Sequence, residues 1–264
     1  MQLPEAESEA GSSDLLIAGD PPALIVSNAG ADSPFLLLGD HAGRAIPARL
    51  GDLGLAPEEM DRHIAWDIGV AGLGERLSAA LDACFIRQTY SRLVVDCNRV
   101  PGSAGSIVAS SDGTAVPGNV NLSDAAVQMR LNAIYRPYQE AIAAELDARP
   151  SPTRLIALHS FTPSMNGFDR PWRYGVVHRG DSPLSFAVLA RLKAALGEAA
   201  GDNLPYAMGE GTDNTIPLHA DPRGLDYLEI EVRQDLLADT AGQDRAARFL
   251  GPILVEAERQ IRRL

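Results

Sequence analysis

Residues 154–163 read RLIALHSFTP, and this stretch decides the fold. Leu155, Ile156, Ala157 and Leu158 form a short apolar run that is predicted as a buried strand. An imidazole and a hydroxyl, His159 and Ser160, stand at its C-terminal end. In open α/β sheets reactive groups gather outside the carboxyl ends of the strands, so chemistry is expected there. Three other apolar runs repeat the pattern. Residues 35–38 lead into Gly39, Asp40 and His41; residues 93–95 lead into Asp96, Cys97, Asn98 and Arg99; residues 227–232 carry Glu229 and Glu231 and are followed by Arg233.

Between these runs lie segments of helical period. Ile64, Ile68, Leu73, Leu77 and Leu81 mark one helix, opened near Pro57. A second, capped by Ser123 and Asp124, carries Val127, Leu131, Ile134, Tyr138, Ile142 and Leu146 and stops at Pro150. Residues 184–196 form a third and residues 243–263 a last one, with further strands at 23–27 and 174–178 and a brief edge strand at 85–88. Alternation of strand and helix predicts one three-layer α/β domain, a mainly parallel or mixed sheet covered by helices on both faces. The domain is expected over residues 21–264, after an acidic, disordered leader at 1–20 rich in Glu, Ala, Ser, Gly and Asp. Residues 100–121 are rich in Gly, Ser and Pro, and a loop of that length inside a compact domain is usually functional or mobile.

A formal net charge of -12 and a pI of about 4.8 make nucleic-acid binding improbable, because such a surface repels phosphate backbones. They leave room for a small anionic substrate met by a local arginine. Two cysteines, Cys84 and Cys97, form no disulfide framework and no finger spacing. No apolar run approaches the length of a membrane span, and the N-terminus lacks a basic region followed by an apolar core. A soluble cytoplasmic chain without membrane partners is the expectation; the oligomeric state stays open.

A zinc hydrolase needs about three ligands from His, Asp and Glu, with a carboxylate near the open position. His41 and His159 are the nitrogen donors. The helical pair H-E-x-x-H is absent, so the third ligand comes from elsewhere: Asp67 is the first choice, placed on the helix after the His41 loop, and Asp40 the second. Glycines 39 and 43 bracket His41, either for close approach to metal or substrate or as ordinary loop punctuation. Arg99 offers a rigid fork to a substrate carboxylate, or else pairs with Asp96 or Asp40. Glu229 and Glu231 share one face of a strand, where a carboxylate must be paired or catalytic, and Glu231 is the general-base candidate. Ser160 lacks the G-x-S-x-G elbow of a nucleophile.

LHSF, DCNR and EIEVR resemble, in the same order, three site segments of zinc carboxypeptidases. Over a longer span, DHAGRAIP, HIAWDIG, YSRLVVDCNR, SDGTAVPGN, RPYQEAI, LHSFTP and HADPRGLDYLEIEVRQDL resemble the N-formylglutamate amidohydrolase family, from about residue 35 to 237. The resemblance implies a zinc-exopeptidase-like α/β fold, one Zn2+ per chain, and cleavage of the amide of an N-acyl amino acid, with N-formylglutamate as the type substrate. Carried over by position, it implies His41 and His159 as ligands, Glu231 as the catalytic carboxylate and Arg99, with Asn98, as the clamp on the substrate carboxylate; Asp67 stays the third ligand from its place in HIAWDIG and Ser160 is set at the substrate beside His159, while His219, in the same matching run, is either a second catalytic group, a proton shuttle or transition-state donor, or a surface loop histidine. Carboxypeptidases carry a Glu three residues after the first His; Arg44 stands there in this chain. Two alternatives remain open, a carboxypeptidase or amidase acting on another substrate and a non-catalytic binding protein on the same scaffold.

Overall fold

The computed structural model describes residues 14–149, 153–209 and 213–263. In chain order, β1 (Leu24–Ser27) and β2 (Phe35–Gly39) precede α1 (Val70–Leu81) and β3 (Cys84–Gln88). A two-residue hairpin follows, β4 (Ser110–Ser111) with β5 (Thr114–Ala115). Then come α2 (Asp124–Arg130), one π turn, and α3 (Arg136–Ala148). The central strand β6 (Arg154–Phe161) leads into a second small hairpin, β7 (Ser164–Met165) with β8 (Phe168–Asp169). The chain closes with β9 (Tyr174–Val177), α4 (Pro183–Leu196), β10 (Ala200–Asp202), α5 (Thr215–Ala220), β11 (Asp226–Arg233) and α6 (Thr240–Ile261).

Among the described residues seven strands form one sheet in the order β1-β3-β2-β6-β11-β9-β10. The middle four, β3, β2, β6 and β11, run parallel; β1 opposes β3, while β9 opposes β11 and carries β10 parallel to it. The sheet is therefore mixed around a parallel centre. Because side chains alternate, β6 buries Leu155 and Ala157 on the face of α2 and α3, and Ile156 and Leu158 on the face of α1, α4 and α6. Each fully buried Leu or Ile contributes about 1.5–3 kcal/mol, and a strand apolar on both faces has no other stable place than the middle of a covered sheet.

The structure differs from the sequence reading at several elements. Residues 93–98 are a buried series of turns, not a strand. Side chains there capture backbone groups: Ser91 Oγ accepts from Leu93 N, and Asp96 Oδ1 accepts from Asn98 N at 2.9 Å, which bends the chain out of an extended ladder. The sheet strand of this region is β3, paired on both sides rather than an edge. The helix expected from Pro57 begins only at Val70, after a 3-10 turn at Pro57–Asp61. The short strand β10 had no signal in its AGD sequence. The leader expected over residues 1–20 falls mostly outside the described residues. Leu15 is only 1% exposed and packs in the core, and Asp20 Oδ1 accepts from Ala48 N, so packed chain is present before residue 21.

Candidate active site

Three of the four parallel strands, β2, β6 and β11, direct their C-terminal ends at one cavity of about 610 Å³. β2 delivers Asp40 and His41 just past Gly39, and β6 delivers His159 and Ser160. Glu231 of β11 is the register partner of His159, so imidazole and carboxylate stand side by side on the same sheet face. Asp67 arrives from the turn before α1, not from the helix itself. That turn is fixed by Asp67 N donating to His41 O at 2.8 Å and by Gly69, whose φ of 81° lets the chain enter α1. A Cβ at Gly69 would lie 2.4 Å from Leu237, so glycine is required there on packing grounds too.

His41, Asp67 and His159 form a buried group whose ligand atoms lie within 4.8 Å of one another. Asp67 Oδ2 is 3.1 Å from His159 Nδ1 and 3.7 Å from His41 Nδ1. Each ring meets a second carboxylate at its far nitrogen: His41 Nε2 is 2.7 Å from Asp96 Oδ1, and His159 Nε2 is 3.5 Å from Asp40 Oδ2. Among the described residues His41 Nδ1 is buried without a hydrogen-bond partner, and so are His159 Nε2 and Asp40 Oδ2, whose 3.5 Å approach is an ion-pair contact and not a hydrogen bond. Two imidazoles backed by carboxylates, with their near nitrogens turned to a third carboxylate, form a group that could hold a metal ion, and a buried, unpartnered Nδ1 suits a ligand atom. The residues fit the ion. Asp40, the alternative ligand, lies behind His159 instead and accepts from Thr215 Oγ1 at 2.6 Å.

Electrostatics follow this packing. Burial alone would raise the pKa of Asp67, but the two imidazoles outweigh it and hold the carboxyl well below the usual range. Burial raises Asp96 likewise, and Arg92 and His41 reverse it; Arg92 binds Asp96 Oδ2 through Nε and a terminal nitrogen at 3.0 and 2.7 Å. His159 goes up despite burial, because Asp40 and Asp67 favour its charged form. Glu231 has no such partner, and desolvation pushes its carboxyl up to about 8, with His159 opposing and Asp67 adding to the rise.

The remaining predicted residues are partly reassigned. Arg99 lines the cavity and donates to Asn98 O at 2.9 Å, with Asp213 4.0 Å away; the alternative of an ion pair with Asp96 or Asp40 is not seen among the described residues. Asn98 also lines it, yet its Oδ1 is taken by the backbone N–H groups of Asn214 and Thr215, so its visible role is to pin the α5 segment. Ser160 gives its hydroxyl to Ile68 O and its N–H to Asp67, which holds the Asp67 turn in place. His219 does not line the cavity. It is buried against α3, its Nε2 2.7 Å from Gln139 Oε1, and since the Gln139 amide donates to Cys97 O, that oxygen accepts from the imidazole. Arg44 pairs with exposed Asp61 and stacks over Trp66, away from the ligands. Gly43 serves packing: a Cβ there would meet Thr89 O at 2.0 Å.

Sequence reasoning missed Arg92, which directly precedes the expected strand at 93–95, and passed over His63 and Tyr206, which also line the cavity. The loop at 100–121 contributes Gly105, Val108, Ser111 and Asp112 to its wall. Among the described residues no helix is long and apolar enough to cross a membrane.

The family model for N-formylglutamate amidohydrolase matches residues 33–238. The chain is similar to a gene product of Agrobacterium tumefaciens of solved structure, with 33% identity and a TM-score of 0.89 over 94% of this chain and 99% of that one. It is also similar in fold to the N-formylglutamate amidohydrolase of Ralstonia eutropha JMP134, with 21% identity and a TM-score of 0.64 over 91% of this chain and 99% of that one. No curated protein matches the sequence.

Proposed function

The chain belongs to the N-formylglutamate amidohydrolase family, and from that premise we propose that it is a zinc-dependent hydrolase of N-acyl amino acids, the class that includes N-formylglutamate. The observation that carries this reading is the buried His41, Asp67 and His159 group beside Glu231, whose Oε2 has no hydrogen-bond partner among the described residues. His41, Asp67 and His159 would hold the ion. Bound there, zinc would supply Lewis-acid polarisation of the amide carbonyl and favour a nucleophile at neutral pH.

The protein's own groups do the rest. Glu231 accepts a proton from the attacking water and returns it to the amide nitrogen as the C–N bond breaks, so that water and amide become a carboxylic acid and an amine. A carboxyl whose proton affinity is raised by desolvation is suited to both transfers near neutral pH. Arg99 presents its guanidinium to the carboxylate of the amino-acid part, and Asp96 and Asp40 hold the two imidazoles in orientation. Arg92 keeps Asp96 ionised.

The test is formate release from N-formyl amino acids by protein purified without chelator and supplemented with zinc, alongside its metal content. Turnover with about one zinc per chain is the expected result. Stoichiometric zinc with no turnover on any N-formyl or N-acetyl amino acid would refute the substrate class, and a metal-free active enzyme would refute the zinc.

A further inference from the structure

Arg170, just after β8, is a buried cation that the reaction above does not use. It is only 8% exposed, and among the described residues its side-chain partners are all neutral. Nη1 donates to Thr162 O at 3.3 Å, to Thr162 Oγ1 at 3.1 Å and to Tyr206 Oη at 3.1 Å, and Nη2 meets Met165 Sδ at 3.1 Å. The guanidinium carbon lies 5.0 Å and 5.8 Å from the ring centroids of Tyr206 and Phe161. A guanidinium keeps its charge, and a buried charge without a counter-ion is costly. The two arginines that line the cavity differ in this, since Arg92 binds Asp96 and Arg99 has Asp213 4.0 Å away.

Arg170 stands behind the cavity wall, and Phe161, Thr162, Met165 and Tyr206 are that wall. Because an arginine only donates, it occupies lone pairs at the Thr162 and Tyr206 hydroxyls and leaves each O–H proton to point elsewhere. Among the described residues neither hydroxyl has an acceptor. Two free hydroxyl donors backed by an uncompensated positive charge suit a carboxylate. Resting on the N-acyl amino-acid reading, we infer that Thr162 and Tyr206 bind a second carboxylate of the substrate, distinct from the one held at Arg99. That carboxylate belongs to an acidic amino-acid side chain, as in glutamate, or to the far end of a dicarboxylic acyl group. Thr162 and Tyr206 touch the substrate, and Arg170 acts through them as a positioning residue.

The experiment measures kcat/KM on two pairs of compounds, N-formylglutamate with N-formylglutamine and N-succinylglutamine with N-butyrylglutamine, for the zinc-supplemented wild type, Tyr206→Phe and Thr162→Val. Each pair differs in the presence of the second carboxylate, so the ratio within a pair reads the subsite and cancels a general loss of activity. In one pair the wild type is expected to favour the carboxylate by at least about tenfold, and each variant to reduce that preference by roughly tenfold, the size of one hydrogen bond to a charged group. The pair that shows the preference identifies the source of the carboxylate. No preference in either pair overturns the inference, and so does a preference that survives in both variants; loss in one variant alone keeps that hydroxyl and removes the other. Calorimetric binding of the same compounds separates the subsite from the reaction. If none turns over but a carboxylate member binds at least about tenfold more tightly than its partner and loses that advantage in the variants, the subsite stands and the reaction reading falls. Equal or absent binding within both pairs overturns the subsite.

Discussion

Asp67 and His159, 92 residues apart in sequence, bring Oδ2 and Nδ1 to 3.1 Å of each other in the interior, with the Ser160 N–H donating to the same oxygen. Asp67 is thus held from β6 and from His41 O, a placement that a carboxylate on an ordinary helix surface would not have. His41→Ala, Asp67→Ala and His159→Ala should each lose zinc, since two donors do not retain the ion. Metal content of the purified variants checks this; stoichiometric zinc in any of the three would remove that residue from the ligand set.

Asp96 should matter one step further out. It accepts from His41 and is itself bound by Arg92, so Asp96→Asn should weaken zinc affinity by about 10–100-fold while leaving one ion per chain at saturating zinc. Competition with a metal chelator measures this. Unchanged affinity would mean that His41 is oriented by other contacts.

Arg99→Lys should raise KM by about tenfold or more with little change in melting temperature, because an ammonium does not reproduce the fork. Equal losses on substrates with a free carboxylate and on their amides would contradict the clamp.

His219 yields a pH prediction of a structural kind. Burial, reinforced by Arg223, lowers its pKa to about 4 from an ordinary 6.5. Between those values the unfolded chain binds a proton that the folded chain excludes, so the stability held at His219 is complete above pH 6.5 and declines as pH falls toward 4. Denaturant unfolding across that range should show a smaller decline in His219→Gln than in the wild type, while turnover per folded molecule changes less than threefold, roughly the size of an indirect effect. Parallel pH curves, or a large loss of turnover, would restore a catalytic role to this histidine.

Much of the site was legible because strand ends concentrate chemistry. His41 and His159 stand just after apolar runs, and Glu231 interrupts one, so their placement followed from local pattern alone. Asp67 was legible as a residue but not as a geometry, since nothing local says that a turn, not a helix, precedes Gly69. The strand expected at 93–95 failed because side-chain hydrogen bonds to Ser91 and Asp96 override β-propensity, and Arg92, just ahead of that run, carried no local sign that it would reach Asp96. His219 was misplaced for the opposite reason: its partner Gln139 lies 80 residues away, and no spacing rule connects them.

Glu231 carries the central claim. Its carboxylate is buried to 6% exposure with Oε2 unpartnered, and Arg233, two residues on, turns instead to Asp235 at 2.8 Å. A structural ion pair with Arg233 is therefore not what holds it. The most direct measurement is turnover per zinc-loaded, folded molecule of Glu231→Gln on the best N-acyl amino-acid substrate of the wild type. The account predicts retained fold and zinc with turnover reduced by roughly 10²-fold or more, the usual size of a general acid-base contribution. Turnover close to wild type would contradict it.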